Sequence, residues 1–126
     1  MTKSLAKITT EELVDRFVDL SIREGIASFE FDTRTFNRLF ARHSAIAREL
    51  RSRPGDQRFA LFPLYKHPDM QVRLNAIGST FALNREAAER ELRFIARNAP
   101  DPQGFDARMS LSMLELGLSM LPDDPW

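Results

Sequence analysis

The chain has 126 residues, 43% of them hydrophobic and 29% charged, with 18 basic and 18 acidic side chains and no cysteine. A chain of this length buries roughly two-thirds of its unfolded surface, so a single folded domain over 1–126 is expected, with 1–8 as a lead-in and 122–126 as a tail. Zero formal net charge supplies no global field for nucleic acid or an anionic membrane, and without cysteine and with two histidines neither a metal site nor a cofactor is expected.

Residues 1–8 lack the apolar core of a signal peptide, and the longest apolar run, 59–65, falls far short of the ~20 residues that span a bilayer. A cytoplasmic location is the default expectation. Thr9-Thr10-Glu11-Glu12 has the form of a capping box. The first helix should start there, with Leu13, Val14, Phe17, Val18, Leu20 and Ile22 on one broad face, and should end at Gly25. Glu24 lies on the apolar side near that end, where the helix dipole disfavours negative charge. It reads as a buried carboxylate, a frayed end or an arginine-paired side chain.

Asp32 can cap a second helix to about residue 52, on which Phe36, Leu39, Phe40, Ile46, Ala47 and Leu50 share a face. Arg34, Arg38 and Arg42 form a stripe opposite, and His43 projects from the centre of the apolar face. Arg53-Pro54-Gly55-Asp56 is a turn with a fresh cap, so a shorter third helix carries Phe59, Leu61, Phe62 and Leu64, with Pro63 bending its last turn. His67-Pro68-Asp69 starts a fourth helix to about residue 83, and Asn84 caps a fifth that ends near Asn98. The clearest loop is 99–104, after which a sixth helix is predicted over 106–121. Six helices and no segment of alternating polarity make an all-α domain.

On the fourth helix, Arg73 falls near the middle of an apolar arc that includes Val72, Ala76, Ile77 and Phe81. An unpaired buried charge costs several kcal/mol, so Arg73 needs an acceptor, and Asp69 stands one turn earlier. Asp69 can cap the helix, form a structural ion pair with Arg73, or do both. Sliding the chain by 35 residues places Val72-Arg73 on Ala107-Arg108, within the period of helical-pair repeats.

Pro68-Asp69-Met70-Gln71-Val72-Arg73 followed by Ala76 resembles the signature of HEAT and armadillo-type repeats, in which aspartate and arginine ladder between neighbours. Together with Phe36-Asn37-Arg38-Leu39 and the 105–114 segment, the chain resembles a small bacterial family of domains of unknown function with a HEAT-like core. That resemblance implies a short right-handed stack of helix pairs and assigns no catalytic or binding residue. The second copy departs from it, having Ala107 in place of the valine and Arg108 on a polar strip.

The residues support two classes of function. The leading one is a non-enzymatic protein-protein interaction module, of an immunity or regulatory type, that meets another protein through a concave face or through Arg34, Arg38 and Arg42; the bland alternative for that stripe is a solvated surface. Nucleic acid is disfavoured because no aromatic residues interleave the stripe. The rival is a small enzyme or ligand-binding protein with a pocket near His43 and Glu24, against which stands a neutral core histidine with no accompanying nucleophile. An open polar cavity beside His43 would favour the rival. The helix over 106–121 is apolar around most of its circumference, including Met109, Met113 and Met120, so either the tail or a second copy in a homodimer should cover it.

Overall fold

The computed structural model describes residues 4–118, which form five α-helices, a ten-residue 3₁₀ segment and a short 3₁₀ turn (Leu5–Lys7), with no strand among the described residues. Helix α1 (Thr10–Phe29) starts at the expected box, where Thr9 accepts a hydrogen bond from the Glu12 amide at 3.1 Å. Gly25 does not end it. The glycine stays helical at a close approach, since a Cβ there would stand 3.0 Å from Gln71 Cβ. The helix runs four residues further and closes in a Schellman turn: the amides of Phe31 and Asp32 donate to Ser28 O and Ala27 O. That motif needs a left-handed residue, and Phe31 supplies it at φ 58° in place of the usual glycine.

Helix α2 (Thr33–Ser52) follows the expected bounds, capped by Asp32, which accepts from the Thr35 amide. Its Leu39, His43, Ile46 and Leu50 are buried. Arg53 then fastens the lead-in, donating to Leu5 O at 3.0 Å and to Ile8 O at 2.5 Å.

The third helix is a correction. Gln57–Lys66 is 3₁₀ rather than α, because the buried Arg58, Leu61 and Leu64 recur every third residue and Pro63 has no amide to donate to an α-turn. Helix α3 (Met70–Thr80) is shorter than expected, and α4 (Arg85–Asn98) starts at Asn84 as predicted. Helix α5 (Gln103–Glu115) begins three residues early and stops six short of the expected 121. At its start Gly104 sits so close to Ala99 O that a Cβ would overlap it. At its end Gly117, at φ 75°, makes a second Schellman turn in which Leu118 N donates to Met113 O. Met120 and Trp126 lie outside the described residues.

Helices α1 and α2, the 3₁₀ segment and α3, and α4 and α5 pack as successive pairs. One core joins them, built on Leu13 and Phe17 of α1, Leu39 and Leu50 of α2, Leu61, Val72 and Ile77 in the middle, and Phe81, Leu92 and Ile95 at the α4 side. Helix α3 packs on α1, α4 and α5, whereas α2 and α3 make little direct contact. No helix among the described residues is long and apolar enough to cross a membrane.

Phe31 is 90% exposed, so it gains little from packing while paying a left-handed penalty of about 1 kcal/mol. Phe31→Gly should therefore raise unfolding stability by about 0.5–1 kcal/mol in urea titrations. A fall in stability would show that the Phe31 ring makes a contact that holds the turn.

Candidate functional site

At the centre of the fold a buried carboxylate collects partners from two neighbouring helices. Glu24 of α1 is wholly buried and its Oε2 meets His43 Nδ1 of α2 at 2.5 Å, a separation that requires a proton between them. Asn75 Nδ2 of α3 donates to the same oxygen at 3.1 Å and to Ser21 Oγ at 2.9 Å. Because a carboxylate only accepts, Asn75 must present its amide nitrogen and turn its Oδ1 away. That oxygen accepts from Gln71 Nε2 at 3.1 Å, and Gln71 Oε1 accepts from Gln103 Nε2 of α5 at 3.1 Å. One directed chain of hydrogen bonds thus links α5, α3, α1 and α2. Glu24 Oε1 is the one buried side-chain polar atom without a partner among the described residues.

His43 is also framed by rings. Phe17 and Phe40 stand edge-on at 5.2 Å and 4.8 Å between centroids. With Nδ1 committed to Glu24, Nε2 is the nitrogen left for anything beyond the core.

Beyond it lies an open groove of about 510 Å³ between α2 and α3, with the start of α5 along its far side. Phe36, Phe40 and Ala47 form the α2 wall, Leu74 and Gly78 the α3 wall, and His43, Gln71 and Asn75 the floor. Arg48, Arg51 and Arg58 gather at one end. Arg58 is buried and gripped by Asp56 through Nε at 2.9 Å and Nη2 at 2.7 Å, and these bonds hold the Asp56 carboxyl below its ordinary value. Asp106 of α5 also lines the groove; desolvation by the wall, and then the nearby Asp101, push its carboxyl above its ordinary value even though part of its surface meets solvent. Gly78 is helical with open space where a Cβ would sit, so the absent side chain widens the groove and is not demanded by packing.

The structure brings Glu24 and His43 together, with Asn75 rather than an arginine as the third member, and α1 is intact around them instead of frayed. It does not bring Asp69 to Arg73. The Asp69 carboxylate is taken up as the α3 cap, accepting from the Gln71 and Val72 amides, while half-buried Arg73 donates to His67 O at 2.5 Å and lies over the Phe94 ring. The expected ion pair is therefore replaced by a carbonyl and an aromatic face. Arg34, Arg38 and Arg42 are all exposed and are not among the residues that line the groove. Arg108 pairs with Asp101 at 2.9 Å and donates to Ala96 O.

Gln71 and Asn75 escaped the sequence reading, although their spacing held a signal. With Ser79 they form a polar line at i, i+4, i+8 on a helix whose other residues are largely apolar. Among the described residues no cluster of His, Cys, Asp and Glu is arranged to hold a metal ion.

Residues 11–115 match the family described as a domain of unknown function, DUF2019. The chain belongs to that family. A crystal structure of the DUF2019 chain's structural relative, the protein RPA1889 from Rhodopseudomonas palustris CGA009, superposes with a TM-score of 0.86 at 37% identity, covering 97% of this chain and 100% of that one. Comparison with curated proteins gives no match.

Two substitutions separate core from groove. Glu24→Ala should lower the stability of this DUF2019 domain by about 3–5 kcal/mol, because it leaves His43 and Asn75 without their buried acceptor. Gly78→Ala should raise it by roughly 1 kcal/mol, as expected for glycine in a helix interior. Chemical denaturation followed by far-ultraviolet dichroism reads both, and a destabilised Gly78→Ala would show that the α3 wall is not open.

Proposed function

We propose that the chain is a protein-binding module whose groove between α2 and α3 takes an extended acidic segment of a partner protein. The observation that carries this reading is the shape and chemistry of the groove: an aromatic and apolar wall over a polar floor, with arginines at one end. From Phe36 to Arg51 the α2 wall is about 22 Å long at 1.5 Å per residue, which matches roughly seven extended residues. Backbone groups of such a segment meet the second amide hydrogen of Gln71, the second lone pair of Asn75 Oδ1 and His43 Nε2, while apolar side chains meet Phe36 and Phe40. We read the Glu24–His43 pair as positioning the floor for a bound segment; the open groove with its polar floor beside His43 also meets the condition set for a ligand-binding pocket, which stays the second reading.

The packing order supports a HEAT/armadillo-like stack as the finer description of the fold, with α2, α3 and α5 along one side as its recognition surface. On this reading Arg48 and Arg51 recognise the partner's charge. They are exposed, as Arg34, Arg38 and Arg42 are, but they line the groove beside its apolar walls and the stripe does not.

A fluorescein-labelled heptapeptide of alternating glutamate and phenylalanine, followed by anisotropy, tests this. It should bind more weakly as salt is raised, and Arg48→Glu with Arg51→Glu, or Gly78→Met, should weaken it by about tenfold or more. The triple change Arg34→Glu, Arg38→Glu, Arg42→Glu should alter it far less. Binding lost in the triple variant but kept in both groove variants would move the recognition surface to the stripe and overturn the proposal.

A further inference from the structure

Two charged arrays share the outer surface of the α1–α2 pair. We infer that this surface closes a two-fold symmetric dimer, in which the acids on α1 of each copy meet the arginines on α2 of the other.

Glu11, Asp15 and Asp19 recur every fourth residue along α1, and Arg34, Arg38 and Arg42 do the same along α2; all six are exposed. Each array advances about 6 Å per step, so the two intervals match. Among the described residues Asp19 alone of the six makes an ion pair, a long one of 3.6 Å to Arg23. Within one chain the arrays lie toward opposite ends of the helix pair. His43 meets the Phe17 ring and Glu24, and Arg53 reaches Ile8 O, so the helices run antiparallel and Arg34, Arg38 and Arg42 stand roughly level with Ser28, Glu24 and Leu20 of α1. Asp19 and Arg42 come level but do not pair.

A two-fold axis perpendicular to α1 beside Asp19 and Leu20 resolves the mismatch. It brings Glu11, Asp15 and Asp19 of one copy level with Arg34, Arg38 and Arg42 of the second copy, and the shared interval lets all three pairs form in one register. Val18, Ile22 and Ile26 continue the line of acids along α1 at the same interval; the first two are half-buried and Ile26 is 55% exposed. About the same axis Ile22 of each copy meets Val18 of the other, which supplies the apolar centre that a specific contact needs inside its charged rim.

Either array alone would fit any oppositely charged protein. Both on one surface, at one interval and toward opposite ends, make that surface complementary to itself. Zero formal net charge also means that two copies meet no overall repulsion. The two helices, each about 30 Å long and about 9 Å apart, offer roughly 600 Å² from each copy, at the low end of specific contacts. The dimer is therefore reversible and sensitive to salt. None of these residues lines the groove, so the dimer and the peptide-binding reading stand or fall separately.

Sedimentation equilibrium of the full chain tests this. At low salt the weight-average mass should rise from that of one chain, 14.5 kDa, toward that of two as concentration is raised, and should fall back when salt is added. Asp15→Arg with Asp19→Arg, and separately Arg38→Glu with Arg42→Glu, should each weaken dimerisation by about tenfold or more, since like charges then face one another. Helical dichroism should be unchanged in both. Mixed in equal amounts, the two variants should associate again, because a basic surface then meets an acidic one; pairing within a chain has no such rescue. A chain that stays monomeric at every concentration overturns the proposal. So does a dimer indifferent to both reversals, or a mixture no more associated than its parts. Masses that grow past two copies indicate an open, head-to-tail contact and overturn the two-fold arrangement.

Discussion

A carboxylate removed from water sets the terms for the rest of this fold. Glu24 has no exposed surface, and an ion in that position loses several kcal/mol of hydration unless its neighbours replace it. The replacement comes at Oε2 alone, from His43 on α2 and Asn75 on α3, so three helices are fixed at one point by groups that must approach within hydrogen-bonding distance. Hydrophobic contact alone tolerates sliding and rotation between helices. A short imidazole–carboxylate contact does not, and neither does an amide whose orientation is dictated by an acceptor-only partner. The same directionality passes through Gln71 to Gln103, so the placement of α5 also depends on which way the Asn75 amide faces.

This polar tie explains why an open groove can exist in a small domain. Were α2 held to α3 by interdigitating side chains, Phe36, Phe40 and Ala47 would be covered and the space would close. Instead α2 packs on α1 and reaches α3 only through the floor. The aromatic surface left over on α2 becomes a wall, and a mid-helix glycine on α3 keeps the opposite side bare. Both features cost stability, since exposed rings forgo burial and glycine is a poor helix residue. Stability forgone at a concave surface, while the surrounding core is filled, is the pattern expected where a protein meets a ligand.

Much of the architecture was legible in the chain. Thr9, Asp32, Asp69 and Asn84 all cap the helices assigned to them, because a short polar side chain before an amphipathic run has few other uses. Helix ends were harder. Gly25 carries the composition of a stop but serves as a close approach to Gln71, whereas the true stop uses Phe31, a residue type that left-handed geometry disfavours. The 3₁₀ segment was hidden because the consecutive apolar residues Phe59 to Tyr65, broken only by Pro63, fit either period over so short a stretch. Arg73 was recognised as needing a partner, but sequence neighbours suggested a carboxylate when the fold offered a carbonyl and Phe94. Glu24 and His43 could each be singled out, yet nineteen positions separate them and no local pattern announces their meeting.

Arginine number alone favours the side of α2 that carries Arg34, Arg38 and Arg42, whereas the groove is lined by Arg48 and Arg51. Arg34, Arg38 and Arg42 make the more regular array, and they are exposed as Arg48 and Arg51 are. Arg48 and Arg51 are less conspicuous in sequence and stand beside Phe40, Ala47 and the rim of the floor. A charge there faces a wall that excludes water as an occupant arrives, so each contact strengthens with the burial it accompanies. Asp106 on the opposite side is itself an acid, so that part of the groove disfavours a second one. The groove therefore has a polarity, with Arg48 and Arg51 toward one end of the α2 wall and Phe36 and Phe40 toward the other, and on the proposed reading this asymmetry would orient an acidic segment.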